Sequence, residues 1–281
     1  MVWRDTLNRA LARGSLSHAL RVRTPLYHPD FPVVVMWSEK AACTVAVKWF
    51  FHHIGRLDAA LAHNRWVHVY ENEVFKAAPG YRDACAAAIR AGRPVVKFVR
   101  NPYARAFSGY LEICRPDVLQ NTGHWAGGTR EAIAAHLAGD GADAAMPFSF
   151  NRFAAWMAAQ RPETLDYHLA PQFLDMERRI EVRPVRLEDH DNPFACVEAR
   201  FGLPSSEDEA RIYSSGHHHP KQDIGDEAAL AALDTPLPLD RAFRAEVFNP
   251  SPQALAASPG GAAIRRVFAR DFSAYGYELP A

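Results

Sequence analysis

The sequence has few cysteines. Cys43, Cys85, Cys114 and Cys196 are the whole set in 281 residues, and they form no CxxC pair. Neither a disulfide scaffold nor a structural zinc site is expected. Net charge is also missing, since Lys+Arg is 32 and Asp+Glu is 32. No bulk field draws in nucleic acid or an anionic membrane, so any anion must be held by a local site. Apolar runs such as Val33 to Trp37 fall far short of the ~20 residues that cross a bilayer. Met1-Val2-Trp3-Arg4-Asp5 lacks the charged-then-apolar order of a signal peptide, so cytoplasmic residence is the expectation. No internal repeat, block of like charge or Gly/Ser linker divides the chain, and 1–281 reads as one domain.

What is present alternates short apolar runs with helical stretches, the pattern of an α/β layer structure around a mostly parallel central sheet flanked by helices. Phe31 to Trp37, Trp66 to Tyr70, Pro94 to Val99 and Val182 to Leu187 read as strands, with Pro184 pointing to an edge or an irregular start for the last. Helices are expected over 43–54, 81–91, 129–138, 149–160 and 262–272. The first of these lines up Val47, Phe50, Phe51 and Ile54 and stops at Gly55. Asn101-Pro102 reads as an N-cap followed by the first residue of a helix. Residues 1–30 form a helical extension in which Arg4, Arg9 and Arg13 accompany Leu7, Leu11 and Leu20. That stretch packs on its own domain or lies against the inner membrane face as a peripheral contact. Residues 204–260, rich in proline and small polar residues, are expected to be loops.

Two strand–helix junctions carry the chemistry. Lys40-Ala41-Ala42-Cys43-Thr44 follows the first strand and opens a helix. Loop amides, helix dipole and lysine together suit a phosphate-like anion. The loop is not GxxxxGK[ST], because it lacks the glycines and its lysine precedes the helix. At the second junction Arg100 ends a strand beside a helix that contains Arg105, Ser108 and Tyr110, which suggests a second anion pocket. In a parallel sheet both junctions open on one rim. The ligand implied has two separated anionic groups.

Lys40 to Thr44 resembles the 5′-phosphosulfate loop of the sulfotransferases that use 3′-phosphoadenosine-5′-phosphosulfate (PAPS), in their carbohydrate branch with its Golgi and bacterial members. Phe98-Val99-Arg100-Asn101-Pro102-Tyr103-Ala104-Arg105-Ala106-Phe107-Ser108-Gly109-Tyr110 resembles their 3′-phosphate motif, an arginine with a serine eight residues on. His168-Leu169-Ala170-Pro171-Gln172 is similar to a His-x-x-Pro-Gln segment of the family, and Asp271-Phe272-Ser273-Ala274-Tyr275-Gly276-Tyr277 to its closing Asp-Phe-x-x-Phe-Gly-Tyr. The resemblance runs from about 31 to 277. It departs at Glu39, usually proline, and at Ala42, frequently glycine.

The resemblance implies a P-loop-like three-layer fold and sulfuryl transfer from PAPS, without a metal, to a hydroxyl of a glycan or glycolipid. Lys40 and the amides of Ala41, Ala42, Cys43 and Thr44 would hold the 5′-phosphosulfate, and Arg100 with Ser108 the 3′-phosphate. Lys40 would also stabilise the leaving oxygen. The acceptor needs a base, and the candidates are His68, Glu71 and Glu73, with His68 chosen for its place at a strand end. His168 is a candidate for the acceptor cleft. His52 and His53 lie at the far end of the first helix and read as structural. His217-His218-His219 reads as a loop, not a metal tract, that folds with Lys221 over the nucleotide. Alanine-rich composition suggests a bacterial source and a surface glycan as acceptor. An inactive nucleotide-binding module and a P-loop nucleotide kinase are the competing readings.

Overall fold

Two apolar, β-branched runs and one that mixes valine with arginine become strands in the computed structural model: β1 (Val34–Trp37), β2 (Val95–Val99) and β3 (Val182–Arg186). They form an open sheet in the order β1-β2-β3, all parallel, with Val34 beside Val95 and Val95 beside Val182. The residues described are 16–121, 123–214, 222, 224–237 and 247–277. In chain order the main helices are α1 (Leu16–Ala19), α2 (Cys43–His53), α3 (Leu57–His63), α4 (Val67–Tyr70), α5 (Tyr81–Arg90), α6 (Pro102–Ile113), α7 (Trp125–Ala138) and α8 (Phe150–Ala159). They continue with α9 (Pro193–Phe201), α10 (Ala210–Tyr213), α11 (Gly225–Ala232), α12 (Pro252–Ala257), α13 (Gly261–Val267) and α14 (Ala269–Tyr275). The chain divides into two compact units, Met1–Arg100 with Phe173–Gly216 and Asn101–Gln172 with His217–Ala281.

The first unit contains the whole sheet, and strand alternation sends successive side chains to opposite faces. Val35, Val96 and Phe98 meet Val47, Trp49, Phe50 and Phe51 of α2 and Phe194 of α9. Val34, Met36 and Val95 meet Leu16 and Ala19 of α1 and Cys85 and Ala86 of α5. Helices therefore cover both faces, which is why β2, the central strand, is buried at every position. Lys97 is the exception in chemistry and not in burial. Its ammonium pairs with the Glu177 carboxylate, and Glu177 also accepts from the Leu174 amide. A buried charge of this kind needs such a partner. Pro184 sits on β3, an edge strand, where a missing amide is tolerated.

The second unit is helical. Phe107 and Tyr110 of α6 pack with Phe150 of α8, and Phe107 also meets Phe248. A Cβ on Gly109 would lie 2.7 Å from Leu169 Cδ2, so this glycine allows the 168–172 segment to approach α6 closely. Asn101 caps α6 by accepting from the amides of Tyr103 (3.0 Å) and Ala104 (3.4 Å), and Pro102 opens the helix as the sequence implies.

Several expectations need correction. Trp66 to Tyr70 is not a strand: it is α4, continued by a π-helical turn over Glu71–Phe75. Val67, Tyr70 and Phe75 look β-prone, but Tyr70 and Phe75 pack edge-on to Phe51 of α2, and that tertiary contact overrides local propensity. Residues 204–260 hold α10, α11 and α12 as well as loops, and 262–272 spans two short helices, α13 and α14, in place of one. The helix expected near 129–138 begins earlier, at Trp125, where the His124 ring caps the Ala126 amide. Of the N-terminal extension, the described Leu16, Ala19 and Leu20 are buried inside the first unit. Residues 4–15 and His217–Lys221 lie outside the described residues. No helix among the described residues is long and apolar enough to cross a membrane.

Candidate functional site

The chain leaves β1 at Trp37 and enters α2 at Cys43 through a loop with unusual backbone. Lys40 has φ 65° and Ala42 φ 55°, and these are the only left-handed non-glycine residues among the described ones. Such a conformation disfavours side chains with a Cβ and persists where the surroundings impose it. Alternating hands turn successive amides toward one concavity, the geometry of an anion nest. Ala42 precedes α2 without a side-chain cap, so the start of that helix is open to a ligand. The loop is pinned from beneath. Ala41 donates to the Ser38 carbonyl, Arg23 donates to Ser38 Oγ, and Arg23 pairs with Glu39.

Arg100, at the end of the adjacent strand β2, reaches this loop. Its Nη1 donates to the Lys40 carbonyl at 3.2 Å. The two junctions of the first unit therefore converge, whereas the sequence implies separated pockets. The α6 amides expected to assist Arg100 are capped by Asn101. Ser108 lies half-buried on α6, in the second unit.

His68 does reach the loop, but from a helix. Its Nε2 is 3.4 Å from Thr44 Oγ1, and its ring packs at 5.3 Å from Trp37. On the other side Nδ1 is 2.6 Å from Glu71 Oε2. Glu71 is fully buried, and its second oxygen takes the Lys76 ammonium. Burial alone lowers the His68 pKa, but hydrogen bonds and charge interactions with Cys43 and Glu71 outweigh it and raise the value to about 10. Burial alone raises Glu71, yet the Lys76 charge and the His68 hydrogen bond win and hold it below the usual carboxylate range. His68 is therefore an imidazolium at neutral pH, aimed at the first turn of α2. Glu73 is exposed on the π-helical turn.

Sequence reading named the loop, Arg100 and His68 but missed Arg23 and Lys76 and did not place Glu71 against His68. The signal for Glu71 was its spacing of three from His68, which brings two side chains together only on a helix. Reading a strand there conceals the pair.

In the second unit the later motif segments pack against one another. Arg105, fully buried, donates to the carbonyls of Ala170 and Tyr167 and so anchors that segment. The Gln172 amide donates to Asp271 Oδ2 at 2.8 Å, which joins the 168–172 and 271–277 segments. His168 stacks on Trp125 with ring centres 4.3 Å apart and an interplanar angle of 2°, and its Nδ1 meets Asp166 Oδ1 at 2.7 Å. His53 is structural as expected: burial lowers its pKa, and it shares Glu198 with Trp49 and Ser206.

The first unit also has a cleft at the start of the strands, lined by Pro29, Phe31, Arg93 and Pro94. Arg93 is occupied there by the carbonyls of His28, Pro29 and Phe31, which leaves no evident chemistry. Among the described residues no cluster of His, Cys, Asp or Glu is arranged to hold a metal ion. Comparison with known proteins gives no match to any family model, curated protein or solved structure.

Proposed function

We propose that the protein transfers a sulfuryl group from PAPS to a hydroxyl of a carbohydrate acceptor, on a P-loop-like first unit. The observation that carries this reading is the convergence of Lys40, Arg100 and the His68 imidazolium on a strained loop at an uncapped helix start. Lys40, the amides of Ala42 to Thr44 and the Thr44 hydroxyl would hold the 5′-phosphosulfate, whereas the Ala41 amide, expected to assist, is taken by the Ser38 carbonyl. Arg100 would hold the 3′-phosphate. Charge spreads over the equatorial oxygens of a transferring sulfuryl group as it does for phosphoryl, so preorganised cations supply most of the rate.

The role of His68 changes on this reading. A group already protonated cannot take the acceptor's proton, so His68 acts as a cationic donor to the phosphosulfate. Both oxygens of Glu71 are committed, to His68 and to Lys76. Of the three candidate bases this leaves Glu73, which is exposed and has no ion-pair partner among the described residues. His168, held by Asp166 and stacked on Trp125, remains the candidate for contact with a sugar.

Calorimetry with 3′-phosphoadenosine-5′-phosphate and with ADP tests the nucleotide. The 3′-phosphate should strengthen binding, since hydrogen bonds to charged groups contribute about 1.5–3 kcal/mol each. Equal affinities would end this reading. A mass-spectrometric acceptor screen with PAPS then separates an enzyme from a module that binds without turnover.

A further inference from the structure

Four helices take their N-terminal cap from asparagine or serine, side chains that do not titrate: Asn101 for α6, Ser149 for α8, Asn192 for α9 and Ser251 for α12. Helix α7 takes its cap from a histidine. The Ala126 amide donates to His124 Nδ1 at 3.3 Å. A nitrogen that accepts carries no proton, so the neutral ring has its proton on Nε2, which faces Glu112 Oε1 at 3.4 Å. Glu112 also pairs with Arg115, and Arg115 with Asp117, so both carboxylates on this side already have a cation. The other ionisable ring close by is His168, held by Asp166. Burial is the main cause that keeps the His124 pKa below its ordinary value. Arg115 and His168 add to it, against the opposing pull of Glu112 and Asp117.

The residue after the cap is Trp125, the first of α7, whose indole lies flat on the His168 ring. A proton on Nδ1 takes away the acceptor of the Ala126 amide and puts a positive charge at the positive end of the helix dipole. Both effects fall on the turn that carries Trp125. We propose that His124 is a pH-sensitive cap: neutral, it holds the first turn of α7 and the Trp125–His168 stack, and protonated, it releases both. What the cap regulates, contact of His168 with an acceptor sugar, rests on the reading given above; the cap and its titration do not. The unfolded ring has the ordinary value of about 6.5 and the folded ring a lower one. The contribution of the cap is therefore complete above about 6.5 and is lost as pH falls from there through the folded value.

The test is amide hydrogen exchange of the isotope-labelled, full-length protein, read residue by residue by NMR between pH 7.5 and pH 4.5 and corrected for intrinsic exchange. In the wild type, protection of Ala126 and the rest of the first turn should fall roughly 2–30-fold across one midpoint below 6.5, the range set by loss of a side-chain cap. The Trp125 indole signals should step at the same midpoint. His124→Asn, whose amide caps without titrating, should keep the neutral-pH protection and lose the step from both. Constant protection in the wild type would overturn the proposal whether or not the variant folds, and so would the same fall in His124→Asn. A fall that leaves Trp125 unmoved would overturn the coupling of cap to stack. With an acceptor from the screen, KM should rise severalfold more below the midpoint in the wild type than in His124→Asn, and equal rises would overturn the regulation. If the screen finds no acceptor, the sulfuryl-transfer reading fails, while the exchange result still decides for or against the cap.

Discussion

Two histidines in this protein make the same contact and live in different surroundings. His68 and His168 each place Nδ1 against a carboxylate, at 2.6 Å and 2.7 Å. The His68 side chain is 12% exposed and Glu71 0%, whereas His168 is 33% exposed and Asp166 28%. In the first unit the pair is extended by Lys76 into a buried charge network. In the second it ends in a flat stack on Trp125 with solvent access. The same local contact therefore gives a fixed cation in one place and an accessible ring in the other. Burial and the next neighbours make the difference, because Coulomb interactions strengthen as water is removed.

Glu71→Gln should break the comparison most sharply. It leaves Lys76 and His68 without their buried counter-charge, and loss of one partner from a buried network costs about 3–5 kcal/mol. Asp166→Asn should cost under about 1 kcal/mol, as exposed pairs do. Urea denaturation of both variants decides this, and similar losses would mean that the two sites do not differ in the way described.

Turnover gives a second contrast. Lys40→Ala should lower kcat by roughly 10²–10³, the effect of losing a preorganised electrostatic donor. Nucleotide affinity should weaken far less. His168→Ala should raise KM for the acceptor and leave nucleotide affinity unchanged. Steady-state kinetics with a found acceptor would read both, and a Lys40→Ala enzyme with normal kcat would reduce that lysine to a surface charge.

The pH dependence of stability separates the sites next. His68 has a raised pKa, so its contribution is complete below the unfolded value of about 6.5 and fades as pH rises through about 10. Glu71 has a lowered pKa, so its contribution is present above the unfolded carboxylate value and fades as pH falls through the folded one. The stability gap between wild type and His68→Gln should therefore be widest near neutrality and shrink toward pH 10. A gap that stays constant between pH 7 and pH 10.5 would contradict the charged network.

The smallest expected effect is a gain. Ala42→Gly should relieve the left-handed residue at φ 55° and stabilise the protein by about 1 kcal/mol, because that conformation disfavours a Cβ by this amount. Thermal denaturation measures it. A loss of stability would mean that the loop does not hold the strain assigned to it.

Much of the framework was legible in the residues. The runs Val34–Trp37, Val95–Val99 and Val182–Arg186 announce buried and edge strands by β-branching and by the place of Pro184. Val47, Phe50 and Phe51 announce a helix, and Asn101-Pro102 announces its cap, because each signal is local and leaves its trace in spacing. The Lys40–Thr44 loop and Arg100 were legible for the same reason: they end strands and begin helices.

What the sequence could not fix depends on distant partners. Trp66–Tyr70 alternates like a strand, and only packing against Phe51 makes it a helix and puts Glu71 beside His68. The meeting of Arg100 with the Lys40 carbonyl joins residues sixty positions apart through parallel pairing of β1 with β2. The raised pKa of His68 follows from its contact with the buried Glu71, itself held by Lys76, a property of three-dimensional neighbours that no spacing encodes. Residue type therefore determined which groups can carry charge or attack. Tertiary packing decided which of them are desolvated side by side, and so which one is held as a cation and which serves as its scaffold.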